Sequence, residues 1–240
     1  NPHKWARGKK PRIYQVAKDV WRLTTAEKKR ILLNNIYGVD IDPQAVEVTK
    51  LSLLLKVLEN ENRETLGKMR SLFKERALPD LSNNIKCGNS LIGTDFYSEM
   101  NPSLFDMEEQ YRINAFDWEK EFPEVFNPSS DSTVSSHLLP EGEGRKPSPH
   151  GRGRAEGTGE GSSGGFDVVI GNPPYVRIHE IAKTDSAYYR LKYKSASNQF
   201  DLYQLFYERG LSLLKINGLL GFITSNKFCI TNYGRPLRDL

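Results

Sequence analysis

The chain has few cysteines, no long apolar run and little net charge, and each shortage excludes a class of protein. Its 240 residues include two cysteines, Cys87 and Cys229, far apart in sequence. That rules out a disulfide scaffold and predicts a reduced, cytoplasmic setting. No Cys or His pairs stand at ligand spacing, so no metal site is expected. The longest apolar run, Leu51 to Leu58, is interrupted by Ser52 and Lys56. It falls far short of the ~20 residues a membrane span requires. No charged segment followed by an apolar one opens the chain, so no secretory signal is expected. With 34 Lys+Arg against 30 Asp+Glu, the formal charge of +4 permits a polyanionic partner without demanding one. Glycine is scarce where it might be sought: residues 1–39 hold only Gly8 and Gly38.

What is present is 38% hydrophobic and 10% aromatic residues, enough for one sizeable core. Residues 129–165 stand apart. Their only hydrophobic residues are Val134, Leu138, Leu139 and Ala155, and nine of the chain's 19 glycines lie between Gly142 and Gly165. Such a stretch buries too little apolar surface to offset its ordering entropy and is predicted to be a disordered insert. Gly159, Gly161 and Gly164 within it match a dinucleotide fingerprint, but that motif needs a preceding strand and a following helix, and neither is predicted. The chain is therefore divided into residues 1–128, the insert 129–165, and residues 166–240.

The flanks read as alternating strands and helices. Thr24 and Glu27 form a capping box that opens a helix to about Leu33. Ile36–Ile41 reads as a short buried strand. Asp42 and Pro43 then start a helix reaching about Leu58, with Val48, Leu51, Leu55 and Leu58 as its buried stripe. A polar helix is expected over Arg63–Glu75, a strand at Ile85–Cys87, and a loop with one helix across residues 100–126. Phe166–Ile170 and Leu219–Thr224 read as buried strands. A helix over Asp201–Lys215 and the turn Asn217–Gly218 separate them, and Arg235–Leu240 reads as a helix. This alternation predicts an α/β fold with a parallel sheet covered on both faces. Ligands in such folds bind at the carboxyl ends of the strands. Asp40–Asp42, Asn89 and Asn172–Tyr175 all fall there.

The sharpest signal is Asn172-Pro173-Pro174-Tyr175 directly after a strand. Two prolines fix φ near −65° and remove two N–H donors, giving a stiff turn. The Asn172 side-chain oxygen and the Pro173 carbonyl can both accept from a single NH₂ group. A conjugated amine such as adenine N6 is a poor nucleophile because its lone pair is delocalised into the ring. Two acceptors that draw its hydrogens out of plane favour a pyramidal nitrogen, and the same acceptors stabilise the charge that develops as it attacks. Tyr175 supplies a flat face for stacking. A duplex base must flip out to reach such a pocket. Pro-Pro turns are common as plain structure; the order Phe-Asp-Val-Val-Ile-Gly-Asn-Pro-Pro-Tyr is what favours chemistry.

That run, Phe166–Tyr175, resembles the amino-methyltransferase motif of adenine-N6 DNA methyltransferases of the large type II restriction–modification kind, in which a nuclease can be fused. Asn35–Ala45 is similar to the family's second cofactor segment and Ile85–Leu91 to its third. Asp201–Phe206 and Gly218–Asn226 are similar to later fold motifs. The resemblance spans most of residues 10–127 and 166–240. It implies a Rossmann-like fold binding S-adenosyl-L-methionine and double-stranded DNA. Asn172, Pro173, Pro174 and Tyr175 would be catalytic. Asp40 would accept from the cofactor ribose, Ile41 would pack on its adenine, and Asn89 would meet the adenine amine. Asn89 stands where the family usually has Asp, so a charge is lost there. Asp42 is read as a helix cap, and Asp201 and Tyr203 as structural. The basic residues Lys9, Lys10, Arg12 and Lys28–Arg30 are read as solvated faces. The basic and aromatic residues from Arg177 to Lys194, among them Tyr188, Tyr189 and Tyr193, are expected near DNA.

The family's glycine-rich first motif has no counterpart before Asp40, and no target-recognition domain follows. The chain is therefore expected to be the incomplete middle of such an enzyme, inactive alone. Two other readings stand beside it. One keeps the chemistry on a protein glutamine amide or on guanine N2 of RNA. The other is a degenerate, non-catalytic remnant.

Overall fold

The computed structural model describes residues 2–8, 10–59, 79–100, 107–127, 164–197 and 199–240. The expected helix over Arg63–Glu75, Lys9 and nearly all of the 129–165 insert lie outside these. The protein is mixed α/β, and it divides into two compact units, Asn1–Asp117 and Trp118–Leu240.

The first unit opens with a hairpin, β1 (Ile13–Ala17) paired antiparallel with β2 (Val20–Leu23). The tight connection has Asp19 at φ 62°, a left-handed conformation that Asp tolerates better than most residues. Helix α1 (Thr25–Asn35) follows, with the Thr24 hydroxyl accepting from the Glu27 amide. Half of the expected capping box forms. The Glu27 carboxylate turns instead to Arg30, with contacts of 2.8 and 3.0 Å, while the Thr24 amide donates to the Arg12 carbonyl.

Strand β3 (Gly38–Asp40) pairs in parallel with β4 (Ile85–Cys87), and the register sets Asp40 opposite Cys87. Between them runs α2 (Pro43–Leu58), capped by the Asp42 carboxylate on the Gln44 amide at 2.8 Å. The core of this unit is Leu32, Val46, Val57, Leu81 and Ile85, with Leu53 and Leu54 packed against it. The expected stripe on α2 is thereby corrected: Val48, Leu51 and Leu55 are exposed and Leu58 is half-buried. Apolar residues occupy several faces of this helix, so spacing alone could not tell which face meets α1 and β4. The short helices α3 (Phe96–Glu99) and α4 (Met107–Ile113) complete the unit.

The second unit begins with α5 (Trp118–Glu121) and α6 (Pro123–Phe126), so with α4 three helices stand where a loop with one helix was expected. Their rings surround Phe166: Trp118, Phe122 and Phe126 lie 5.9, 6.4 and 5.5 Å from it between centroids. Phe166 opens β5 (Phe166–Gly171), which pairs in parallel with β6 (Leu214–Phe222). Helix α7 (Lys183–Lys192) and helix α8 (Leu202–Ser212) lie between these strands in sequence, and α9 (Arg235–Arg238) closes the chain.

Helix α8 packs on one side of the pair. At Gly210 a Cβ would stand 2.8 Å from Leu220 Cδ1 and 3.0 Å from Phe222 Cζ, so the helix approaches the strand closely there. The other side carries Val168, Ile170, Leu219 and Ile223, all exposed among the described residues. This corrects the expectation of strands buried on both faces. Strand β6 begins earlier than expected, at Leu214. The expected turn survives as a register shift, with Asn217 at φ 66°.

Candidate active site

The loop at the carboxyl end of β5 is pinned at both ends. The Ile223 amide donates to the Gly171 carbonyl at 3.0 Å, and the Leu202 amide donates to the Val176 carbonyl at 2.8 Å. Arg177 forms an isolated antiparallel bridge with Asp201. The loop therefore lies between the end of β6 and the start of α8.

Within it Pro173 is buried, while Asn172, Pro174 and Tyr175 are exposed. The Asn172 side chain and the Pro173 carbonyl have no hydrogen-bond partner among the described residues. Polar groups at the end of a strand are ordinarily taken up by caps, turns or ladders. Two idle acceptors on adjacent residues are thus a feature of this loop. Tyr175 is held at its far end, where its hydroxyl donates to the Ile223 carbonyl at 3.2 Å. The residue is 57% exposed. A tethered, exposed ring is a ready stacking surface.

Tyr203, expected as a structural residue, stands beneath that ring. Tyr203 on α8 lies 6.3 Å from Tyr175 between centroids, tilted by 51°. It is 1% exposed. Burial above all, and then the neighbouring Tyr233 and Asp201, raise its hydroxyl pKa far above the ordinary tyrosine value. Asp201 begins α8, and its amide donates to the Gln204 side chain at 2.9 Å. Both residues fit the structural roles expected of them.

A second set of candidates closes the β3–β4 pair in the first unit. Asp40 Oδ1 accepts from the Asp42 amide at 2.8 Å, and Asn89 Oδ1 accepts from the Leu91 amide at 3.0 Å. Each side chain therefore shapes its own turn. The second Asp40 oxygen and the Asn89 NH₂ have no partner among the described residues. Ile41 is 53% exposed, so it is not core. Gly88 is buried, and a Cβ there would stand 2.4 Å from Phe116 Cδ2, so Phe116 packs directly against its backbone.

Asn114, which no motif flagged, ties this corner together. Its carbonyl accepts from the Asn89 amide at 2.7 Å, and its side chain donates to Cys87 Sγ at 3.4 Å. It does so at φ 46°, in the left-handed region. The sequence signal was an Asn placed just after a helix, where such a conformation is common.

The basic segments divide. Lys28 donates to the Glu59 carbonyl at 2.8 Å, Arg30 pairs with Glu27, and Arg12 lies 4.8 Å from the Trp5 ring. In residues 177–194, Tyr188 and Tyr189 are buried, so stacking on DNA by these two rings is excluded in this conformation. They form the buried face of α7, and Lys192 Nζ lies 5.9 Å from the Tyr188 ring centroid. Arg177, Lys183, Arg190 and Lys194 are all exposed, and Arg190 donates to the Ala196 carbonyl and lies over the Phe200 ring. Among the described residues no cluster of three or more His, Cys, Asp or Glu side chains could hold a metal ion, and no helix is long and apolar enough to cross a membrane.

Comparison with known proteins defines the class. The Eco57I restriction-modification methylase model matches residues 34–240, and the chain belongs to that family. Among individual relatives, the type II restriction enzyme and methyltransferase RM.Eco57I of Escherichia coli is 30% identical over 232 residues, covering 95% of this chain and 18% of that protein. The type II methyltransferase M.XhoI of Xanthomonas vasicola is 47% identical over 75 residues, covering 31% of this chain and 14% of its own. The adenine-specific methyltransferase PglX of Streptomyces coelicolor is 23% identical over 223 residues, 88% of this chain and 15% of that protein. The chain thus spans less than a fifth of the length of each of these three.

Proposed function

We propose that this chain is the methyl-transferring segment of a site-specific DNA adenine-N6 methyltransferase in a restriction–modification system, using S-adenosyl-L-methionine. The observation that carries the reading is the pair of idle acceptors, Asn172 Oδ1 and the Pro173 carbonyl, on a loop pinned at both ends beside an exposed, tethered Tyr175. In the proposed reaction a flipped adenine stacks on Tyr175. The two acceptors hold the N6 hydrogens, and the nitrogen lone pair is freed toward the methyl donor. As the N6–methyl bond would form and the S–methyl bond of the sulfonium break, leaving a neutral thioether, the positive charge arising on nitrogen would stay against the same two oxygens until one N6 proton passes to solvent. Pro174 has no N–H to compete for them.

The cofactor supplies an electrophilic methyl group on a sulfonium. The residues expected to hold it suit its parts. The free oxygen of Asp40 matches a ribose hydroxyl pair, and exposed Ile41 offers an apolar surface for an adenine ring. The Asn89 amide, with one lone pair and its NH₂ unused, can meet an adenine edge as acceptor and donor together. The fold that accompanies this reading is Rossmann-like, and the parallel pairing within each unit, β3 with β4 and β5 with β6, supports it. Residues 1–128 would serve the cofactor and 166–240 the transfer.

The names of the family and of PglX favour a DNA adenine over a glutamine amide or an RNA guanine as substrate. The test is to express the intact open reading frame in a methylation-free host and to map modified bases. N6-methyladenine at one recurring sequence is expected. Unmodified DNA, or methyl groups on protein glutamine or RNA instead, would contradict the proposal.

A further inference from the structure

We propose that Tyr203 and Phe228 are positioning residues that set the plane of Tyr175; the inference rests on the reading of Tyr175 as the stacking surface for the flipped base. Tyr175 is fixed from two directions. Its hydroxyl is bound to the Ile223 carbonyl, and its ring leans on Tyr203. Tyr203 in turn is backed by Phe228, 6.3 Å away and tilted by 56°. Phe228 lies on the short helical turn Asn226–Cys229, which follows β6. Tyr207, one turn along α8 from Tyr203, lies 5.2 Å from Phe228 and 5.4 Å from Phe222, and its hydroxyl is 3.0 Å from Thr224 Oγ1. The rings therefore form a continuous tier between α8 and the end of β6. The residues that anchor the tier flank Ile223, whose carbonyl holds the Tyr175 hydroxyl.

The Tyr203 hydroxyl is the telling detail. It is buried without a hydrogen-bond partner among the described residues. The Phe228 backbone lies close enough to lower its pKa slightly, against the larger effect of burial, but not in bonding geometry. A side chain kept for its hydroxyl would have that group satisfied. What the site uses of Tyr203 is thus its ring, a rigid plate under Tyr175 in offset, tilted contact. Positioning by such a plate acts on the reacting geometry, where small displacements carry large rate penalties.

The test uses the full-length enzyme, wild type beside Tyr203→Phe, Tyr203→Leu and Phe228→Leu. It measures single-turnover methyl transfer, cofactor KM and the emission of 2-aminopurine at the target position of the recognition duplex. Tyr203→Phe should keep its rate within about twofold and melt no lower than wild type. Tyr203→Leu should lose at least about tenfold in transfer rate and shrink the stacked, short-lifetime component of the emission, with cofactor KM unchanged. Phe228→Leu should do the same more weakly. A folded Tyr203→Leu enzyme with wild-type rate and emission would overturn the proposal. If that variant does not fold, the same null result in Phe228→Leu overturns it.

A wild-type enzyme that methylates no adenine would sink the functional reading instead. The anchoring would then be read from a crystal structure of Tyr203→Leu. A Tyr175 hydroxyl still on the Ile223 carbonyl with its ring unmoved would contradict it, and a displaced ring would support it.

Discussion

Two places in this protein close the carboxyl end of a parallel strand pair, and they use their polar side chains differently. At the end of β3–β4, Asp40 and Asn89 each accept from an amide two residues ahead, so both are turn-formers before they are anything else. At the end of β5, Asn172 forms no such turn. It and the Pro173 carbonyl are idle, while the loop is shaped by prolines and by bonds from Ile223 and Leu202. In the proposed reading, binding and turn formation share the same side chains in the first place and are separated in the second. Substitution should therefore give a mixed effect at Asp40 and a nearly pure one at Asn172.

The largest effect is expected at Asn172. Asn172→Ala should slow methyl transfer by about 10²–10³-fold, the cost typical of removing one preorganised electrostatic partner. Thermal unfolding of the variant should stay within about 0.5 kcal/mol of wild type, as for exposed positions without a structural role. A large loss of stability there would erase the contrast with Asp40.

Next comes Tyr175. Tyr175→Ala removes the stacking face and should weaken engagement of the extruded base by about 1–3 kcal/mol, read from 2-aminopurine emission and from the Kd for target DNA. Tyr175→Phe keeps the face and loses only the bond to Ile223, so its effect should be smaller, about 0.5–1.5 kcal/mol.

Asp40→Ala should raise the cofactor KM and also cost about 1 kcal/mol of stability, because the Asp42 amide loses its acceptor. Asp40→Asn separates the two: it retains the turn bond and should impair the cofactor alone. If Asp40→Ala left stability untouched while Asn172→Ala did not, the comparison would be reversed.

The smallest effect lies away from both sites. Hydrogen bonds from Arg30, against an opposing contribution from burial, hold the Glu27 carboxyl below its usual 4.5. A lowered folded value means that this contribution is complete above the unfolded pKa and fades as pH falls through the folded one. With Arg30 partly exposed, it should amount to less than about 1 kcal/mol. Glu27→Gln should flatten that part of the acid unfolding curve and leave methyl transfer unchanged at neutral pH.

The strands and helices that bracket the sites were legible in the sequence because strong local signals mark them. Asp42–Pro43 starts α2, Ile85–Cys87 forms β4 as read, and the apolar run at Phe166 ends at Gly171. The hairpin at Ile13–Leu23 was not read. Its turn has no glycine and rests on Asp19 adopting a left-handed conformation. The buried face of α2 was misread because Val48, Leu51 and Leu55 have helical spacing as good as that of Val46, Leu53 and Val57. Tertiary neighbours, not periodicity, decide between the faces.

At the site, the Asn172–Tyr175 motif was legible in the sequence as a candidate for chemistry. The contacts of Tyr203, Phe228 and Asn114 were not, since each is made with a residue distant in the chain: Tyr175, Tyr203 and Cys87 respectively.

The most direct measurement is a crystal structure of the full-length protein with its target duplex and S-adenosyl-L-homocysteine. The account predicts the extruded adenine N6 within about 2.7–3.2 Å of both Asn172 Oδ1 and the Pro173 carbonyl. An N6 that reaches one of these oxygens, or neither, would contradict it.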